Sequence, residues 1–176
     1  MRIISGKYKG RHISPPKNLK VRPTTDIAKE GLFDILNNRI DYEETTVLDM
    51  FGGTGSISLE FASRGCPEIT LIELNSLNYT FIRKTIAELN IDNIRTLRTD
   101  TFKYLSSCRS RFDLIFADPP YDHKGLPTLP DIVFEKELLK SDGIFILEHP
   151  KEFSFSGHPR FSEHRNYGHV NFTFFK

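Results

Sequence analysis

The chain has 176 residues, a net charge of +1 and 38% hydrophobic residues. About 150 residues make a typical domain, so we expect one domain over residues 1–176. Its two cysteines, Cys66 and Cys108, are too few for a disulfide framework and favour a reducing compartment. No apolar run approaches the ~20 residues that span a membrane, and no signal-peptide core is present. We therefore expect a cytoplasmic protein, and we expect it to be a monomer.

The small net charge hides an uneven distribution. Residues 1–22 hold seven Lys and Arg residues and no acidic residue, whereas the remainder holds 17 basic and 23 acidic residues, a net charge of −6. A basic N-terminal arm on a mildly acidic body predicts a nucleic-acid partner. A solvated basic terminus is the alternative. The candidate phosphate-binding residues are Arg2, Lys7, Lys9, Arg11 and Arg22.

The predicted elements follow one another in a regular order. Residues 1–13 predict strand and turn, a proline-containing loop follows as far as Pro23, and a cap at Thr24 or Thr25 precedes a helix that contains Ile27 to Leu36. We then predict strands at 45–50, 68–73, 94–98, 111–117 and 143–147, helices at 56–64 and 77–90, and a helix from near Pro130. A turn at Tyr167-Gly168 leads into a strand at 170–175. Alternating strands and helices predict an α/β fold with a doubly wound, mainly parallel sheet, which binds ligands at the carboxyl ends of its strands.

A glycine-rich loop follows the first strand of this alternating series. Residues 47–56 read VLDMFGGTGS, an apolar strand that ends at Asp49 and is followed by Gly52, Gly53 and Gly55. Glycines let the backbone approach a ligand, and the helix start behind them offers free N–H groups to an anionic group. The next strand ends at Glu73, 18 residues beyond Gly55, where a carboxylate can accept hydrogen bonds from ribose hydroxyls.

These features alone also suit a nicotinamide-dependent oxidoreductase. Against that alternative, Ser58 stands where the third glycine of the dinucleotide fingerprint is expected, and Asp49 precedes the loop. Asp100, at the end of the third strand, can receive an adenine amino group or cap a helix that starts at Thr101, and both roles can hold together.

Asp118-Pro119-Pro120-Tyr121 follows the fourth strand and is the most specific motif. The lone pair of an exocyclic base amine is delocalised into the ring, so the amine is a poor nucleophile. The Asp118 carboxylate and the Pro119 carbonyl can accept hydrogen bonds from the two N–H groups of the amine. Such preorganised dipoles stabilise charge that develops in a transition state. Two prolines fix the turn, and Tyr121 offers a face for stacking an extruded base. The alternative is a structural loop with a capping Asp and a packed Tyr.

Other candidates are weaker. Glu148 ends the fifth strand and can face the base pocket, although a solvent-exposed acid is the commoner case at a strand end. His149, before Pro150, is interpreted as a turn residue rather than a general base. The six His and two Cys show no metal-ligand spacing, so we expect no metal.

Several stretches together resemble the bacterial 16S ribosomal RNA guanine-N2 methyltransferases. They are residues 2–6 with Gly10-Arg11, residues 22–26 with Lys29-Glu30 and Leu32-Phe33, the loop and helix over 49–65, residues 118–121, Glu148 and the strand pair around Tyr167-Gly168. The glycine loop and the D-P-P-Y motif are common to many amine methyltransferases, whereas the basic start and the R-P-T-T-D segment are specific to this family.

The resemblance implies a class I methyltransferase fold, a largely parallel seven-stranded sheet with an antiparallel C-terminal edge. It implies S-adenosylmethionine as cofactor and a small ribosomal subunit as partner. The methionine portion is assigned to Asp49, Phe51, Gly52, Gly53 and Gly55, with Arg22 and Thr24 nearby; the ribose to Glu73, beside Leu74; the adenine to Asp100, beside Thr101; and the guanine amine to Asp118, Pro119, Pro120 and Tyr121, with Asp118 also at the cofactor. Gly52 departs from the family, which usually has Ala there.

Three alternatives remain open from the sequence. The acceptor can be adenine N6 in DNA or a protein glutamine amide, because D-P-P-Y does not fix the base. A nicotinamide-dependent oxidoreductase leaves D-P-P-Y unexplained. The third alternative is a non-catalytic RNA-binding module that keeps a vestigial pocket.

Overall fold

A computed structural model of the chain describes residues 1–16, 19 and 26–176. The helices and strands follow in the order α1 (Asp26–Leu36), β1 (Thr46–Asp49), α2 (Ser56–Ser63), β2 (Glu68–Ile72), α3 (Ser76–Glu88), β3 (Ile94–Leu97), α4 (Thr101–Ser107), β4 (Phe112–Ala117), α5 (Leu129–Glu135), β5 (Leu139–His149), β6 (Phe161–Tyr167) and β7 (Val170–Phe175). Short 3₁₀ helices lie at Tyr42–Glu44 and Leu126–Thr128. The alternation predicted from the sequence is therefore present.

The strands form one seven-stranded sheet in the order β3-β2-β1-β4-β5-β7-β6. Strands β1 to β5 are parallel, and β7 lies antiparallel between β5 and β6. This confirms the predicted doubly wound sheet with an antiparallel C-terminal edge. The strand order reverses between β1 and β4, and in such sheets that point opens a crevice at the carboxyl ends of the strands.

Phenylalanine supplies much of the core on both faces of the sheet. Phe33, Phe61 and Phe172 are fully buried in one cluster, together with residues of α1 and α2. Phe145 and Phe175 are fully buried in the other, together with residues of α4 and α5. The many phenylalanines in the composition are thus used where the helices cover the sheet.

Two predictions near β5 need correction. The strand begins at Leu139 rather than at residue 143, and it continues through Asp142, which has a positive φ of 62°. His149 is not a turn residue. It ends β5, is 1% exposed, and its Nε2 lies 2.7 Å from Thr173 Oγ1 on β7.

Residues 1–13 fold back on themselves around the predicted turn, and this segment is called here the N-terminal turn; in place of a regular strand it has one isolated bridge. A single antiparallel bridge joins Arg2 to His12, and the amino terminus donates to the carbonyl of Ile13 at 3.0 Å. Ile3 is 2% exposed and packs in the core that α1 and α2 share. The basic start of the chain is therefore anchored to the fold by an apolar side chain.

Candidate active site

A cavity of about 660 Å³ opens at the carboxyl ends of β1, β2, β4 and β5. The sequence-predicted residues that line it are Asp49, Phe51, Gly52, Gly53, Glu73, Leu74, Asp100, Thr101, Asp118, Pro119, Pro120 and Tyr121. Gly55 does not line it, and Arg22 and Thr24 lie outside the described residues. Side chains that are far apart in the sequence thus meet at one edge of the sheet.

The glycine loop is held tightly between β1 and β2. Gly52 N–H donates to Ile72 O at 2.8 Å, and a Cβ on Gly52 would lie 2.5 Å from Leu71 Cδ2. The family that the sequence resembles usually has an alanine at this position, and an alanine here would require Leu71 to move. Gly55 precedes α2 at a φ of 79°, a left-handed conformation that favours glycine, so its role is to turn the chain into the helix.

Asp49 ends β1 and is 1% exposed. Ser58 Oγ donates to its Oδ2 at 2.6 Å, so the residue that breaks the dinucleotide fingerprint holds this carboxylate. Burial raises the pKa of Asp49 to about 6, and the Ser58 hydrogen bond opposes that rise. The buried Oδ1 has no hydrogen-bond partner among the described residues. An acceptor of this kind at a cavity wall fits a cationic or N–H donor group of a ligand.

Glu73 links the glycine loop to the end of β2. Its Oε2 accepts from Gly53 N–H at 2.7 Å, and its Oε1 accepts from Asn75 N–H at 2.6 Å. Burial raises the pKa of Glu73, and these two backbone donors oppose the rise. Each carboxylate oxygen can accept a second hydrogen bond from a ligand. Leu74, 63% exposed, adds an apolar surface to the cavity wall beside it.

Asp100 caps α4, as one of its two predicted roles requires. Its Oδ1 accepts from Lys103 N–H at 2.9 Å, and Thr101 Oγ1 donates to Met50 O at 2.5 Å. Asp100 also borders the cavity, and its second carboxylate oxygen retains acceptor capacity. The cap is confirmed, and contact with a ligand stays a prediction.

The D-P-P-Y motif follows β4 directly. Asp118 is half-buried, Pro119 is buried and Pro120 is exposed. The Tyr121 hydroxyl donates to Glu148 Oε1 at 3.3 Å. The motif thus borders the cavity that the glycine loop lines, at the end of a neighbouring strand.

Glu148 corrects one expectation. It is 3% exposed and lines the cavity, whereas a solvent-exposed acid was the commoner case for a strand end. It is buried because β5 continues to His149 and pairs with β7, where Glu148 lies opposite Phe172. Its position after a buried apolar run, like that of Asp49, is the signal that made it a candidate for the base pocket in the sequence.

Sequence reasoning missed His123. Its ring stacks on Phe102 with centroids 5.1 Å apart, lies 6.2 Å from the ring of Phe51, and lines the cavity. Gly125 N–H donates to His123 Nδ1 at 3.0 Å, which makes Nδ1 the acceptor nitrogen of this ring. His123 lies in a loop with no periodic pattern, so nothing in the sequence singled it out.

Four of the five predicted phosphate-binding residues lie on the N-terminal turn, and the fifth, Arg22, lies outside the described residues. Arg2, Lys7, Lys9 and Arg11 are all exposed. The Arg2 guanidinium donates to Glu30 Oε1 at 2.8 Å. Ile4 and Ser5 donate their backbone N–H groups to the buried Glu60 at 2.8 and 3.0 Å. The turn is therefore docked on α2 and presents three cations to solvent.

Two features are absent from residues 1–16, 19 and 26–176. None of the helices there is long and apolar enough to cross a membrane. In the same part of the chain, His, Cys, Asp and Glu side chains form no group of three that could hold a metal ion.

Comparisons with known proteins identify the family of the chain. The family described as conserved hypothetical protein 95 matches residues 1–176. The chain is 36% identical to ribosomal RNA small subunit methyltransferase D of Buchnera aphidicola, over 86% of this chain and 79% of that protein. It is 29% identical to the protein of the same name from Escherichia coli K12, over 84% and 74%.

Solved structures give the same result for the fold. The Escherichia coli protein yhhF, described as a methyltransferase, superposes with a TM-score of 0.86 at 26% identity and covers 99% of this chain and 96% of its own. The sheet is therefore that of the class I methyltransferases, as the sequence implied. The chain belongs to the conserved hypothetical protein 95 family, the family of the small-subunit ribosomal RNA methyltransferases D.

Proposed function

We propose that this protein transfers a methyl group from S-adenosylmethionine to the exocyclic N2 amine of a guanine in the 16S RNA of the small ribosomal subunit. One observation carries the proposal: the D-P-P-Y motif and the glycine loop with Asp49 and Glu73 line a single cavity. Ribosomal RNA methylation with this cofactor follows from the family, and the choice of guanine N2 is the finer step.

The cavity fits the cofactor. Its volume of about 660 Å³ lies within the range of roughly 300–1,000 Å³ that small-molecule sites occupy. Asp49 offers its unpartnered Oδ1 to the cationic methionine portion, Glu73 its two oxygens to the ribose, and Asp100 its second oxygen to the adenine amino group. Leu74 provides an apolar surface for the adenine ring. Bound here, S-adenosylmethionine supplies an electrophilic methyl group on a sulfonium.

The D-P-P-Y residues then prepare the acceptor amine. The Asp118 carboxylate and the Pro119 carbonyl accept hydrogen bonds from its two N–H groups and favour tetrahedral geometry at nitrogen. The lone pair is then no longer delocalised into the ring. These acceptors are fixed by a proline turn directly after β4, which means that little reorganisation is needed during the reaction. Positioning of this kind is worth effective molarities on the order of 10⁵–10⁸ M.

The base must leave its stack to reach this cavity, at a cost of a few kcal/mol. Tyr121 offers a stacking face, worth ~1–3 kcal/mol per base in single-stranded complexes. The exposed Lys7, Lys9 and Arg11 of the N-terminal turn would contact phosphates outside the cavity. We further propose that the chain acts as one domain in the cytoplasm, where it meets small subunits during assembly.

The test is a comparison of small-subunit RNA from cells with and without this gene. Nucleoside digestion and mass spectrometry should show one N2-methylguanosine that disappears with the gene, and sequencing of RNA fragments then maps its position. Loss of N6-methyladenosine instead would move the acceptor to adenine and overturn the guanine assignment.

A further inference from the structure

Glu148 is a buried carboxylate that the proposed chemistry does not use. It is 3% exposed, lines the cavity and accepts a hydrogen bond from the Tyr121 hydroxyl at 3.3 Å. A buried carboxylate is costly unless charge or hydrogen bonds compensate it. Its place at the cavity wall puts a hydrogen-bond acceptor within reach of a group that the cavity holds.

The strand register places Glu148 beside the acceptor site. Ala117 on β4 pairs with Leu147 on β5, so the residues that follow each of them, Asp118 and Glu148, are neighbours at the same edge of the sheet. A base whose amine lies at Asp118 thus presents one of the two ring atoms that flank the amine towards Glu148.

The two purines differ in what flanks the amine. The 2-amine of guanine lies between N1–H, a hydrogen-bond donor, and N3, an acceptor. The 6-amine of adenine lies between N1, which has a lone pair, and C5, which has no hydrogen, so no donor flanks it. A carboxylate accepts from guanine N1–H and repels a ring nitrogen with a lone pair. A site built around an acceptor therefore discriminates strongly, because the wrong base loses one hydrogen bond and meets this repulsion.

We propose that Glu148 accepts the N1–H of the target guanine and so selects guanine over other amine-bearing bases, with the Tyr121 hydroxyl holding the carboxylate in place. The inference rests on the proposed function, because it takes guanine N2 as the acceptor amine. In this account Asp118 and Pro119 activate the amine, and Glu148 determines which base is accepted.

The experiment uses small-subunit RNA with either guanine or 2-aminopurine at the mapped position, reconstituted into subunits. 2-Aminopurine keeps the 2-amine but has a lone pair at N1. Methyl transfer is measured as kcat/KM for the wild type, Glu148→Gln and the matched control Glu152→Gln, an exposed carboxylate in the loop after β5. Comparing the guanine-to-2-aminopurine ratio between proteins cancels the intrinsic difference in reactivity of the two amines.

The wild type and the Glu152→Gln control should prefer guanine by roughly 100-fold or more. Glu148→Gln should narrow that ratio at least tenfold, because an amide can donate to the N1 lone pair as well as accept from N1–H. Affinity for S-adenosylhomocysteine should stay within about twofold, and Tyr121→Phe should narrow the ratio less than Glu148→Gln does.

Equal use of the two bases by the wild type would overturn the role of Glu148, and that arm needs no variant to fold. So would an unchanged ratio in a folded Glu148→Gln protein. Absence of transfer to guanine N2 in the wild type would instead overturn the proposed function itself. The two failures are therefore distinguishable.

Discussion

Lys29 Nζ lies 3.8 Å from Glu60 Oε2, and both side chains are almost fully buried, at 1% and 0% exposure. Lys29 also donates to the Arg2 carbonyl at 2.6 Å and to Ser56 Oγ at 3.1 Å, while Glu60 accepts from the backbone of the N-terminal turn. Ser56 borders the cavity. The pair thus fixes the position of the N-terminal turn relative to the proposed cofactor site.

Lys29→Met should destabilise the fold by about 3 kcal/mol, because it leaves the Glu60 charge buried with one cation fewer. The loss of stability is not larger because Arg64 remains as a cationic partner, with its Nε donating to Glu60 Oε1 at 3.0 Å. Urea denaturation measures the change. The matched control is Lys84→Met, which removes an exposed ion pair with Glu88 and should cost less than about 0.5 kcal/mol. Equal losses in the two variants would contradict a structural role for the buried pair.

Glu73→Ala should weaken cofactor binding roughly 10- to 100-fold, since hydrogen bonds to a charged group contribute ~1.5–3 kcal/mol each. Part of the loss comes through the loop, because Gly53 N–H also loses its acceptor. Calorimetric titration with S-adenosylhomocysteine measures the affinity, and a thermal melt checks folding. Glu68→Ala, at the exposed start of β2, is the control and should bind as the wild type does. Unchanged affinity in folded Glu73→Ala would refute the ribose assignment.

Asp49 should make stability depend on pH in the ligand-free protein. Its pKa is about 6 in the fold against an ordinary 3.8, so the native state binds a proton more tightly than the unfolded chain does. The resulting stabilisation is present below pH 3.8 and is lost as the pH rises through 6. Residue 49 does not titrate in Asp49→Asn. Between pH 4 and pH 6.5 the free energy of unfolding of the wild type should therefore fall by about 2–3 kcal/mol relative to that of the variant.

Cofactor binding should show the opposite trend, because a cationic ligand favours the ionised carboxylate. Wild-type affinity should fall below pH 6, and Asp49→Asn should bind weakly at every pH. Denaturation and calorimetry at pH 4, 5.5 and 6.5 measure both effects. Parallel stability profiles for the two proteins would show that Asp49 is ionised in the ligand-free fold.

The N-terminal turn should make RNA binding depend on salt. Each neutralised phosphate contributes a slope of about −0.7 on single strands and −0.9 on duplex DNA to log K against log salt. Replacing Lys7, Lys9 and Arg11 with Ala should therefore flatten the slope by about two to three. Arg2 is left intact because it pairs with Glu30. The control replaces Arg109 and Lys136, exposed before the amino ends of β4 and β5, and should keep the wild-type slope. An unchanged slope in the triple variant would remove the turn from the RNA-binding surface.

The part of the site that could be predicted from sequence is the part that lies at strand ends. Asp49, Glu73 and Asp118 each follow a short apolar run, and parallel strands bring such positions to one edge of the sheet. The fold class followed from the same alternation of strands and helices. Local pattern and spacing were sufficient there.

The rest depends on contacts between residues distant in the sequence. Glu148 is buried because β7 pairs with β5, and the N-terminal turn is docked because Glu60, on a later helix, accepts its N–H groups. Charge counting identified the basic residues but not that Arg2 is ion-paired with Glu30. Neither periodicity nor composition specifies such pairings.

Methylation of guanine N2 at the D-P-P-Y motif is tested most directly with the purified protein, small subunits from cells that lack the gene, and S-adenosylmethionine carrying a trideuterated methyl group. The subunit RNA is digested and its nucleosides are analysed by mass spectrometry. Asp118→Ala is run in parallel, with S-adenosylhomocysteine affinity measured to confirm that its cofactor site is intact.

The wild type should place the label on N2-methylguanosine at one position. Asp118→Ala should transfer at least about 100-fold more slowly, because it loses an acceptor aimed at the reacting amine, while cofactor affinity stays within a few-fold. Label on N6-methyladenosine, or near-normal turnover by Asp118→Ala, would contradict guanine N2 methylation at the D-P-P-Y motif.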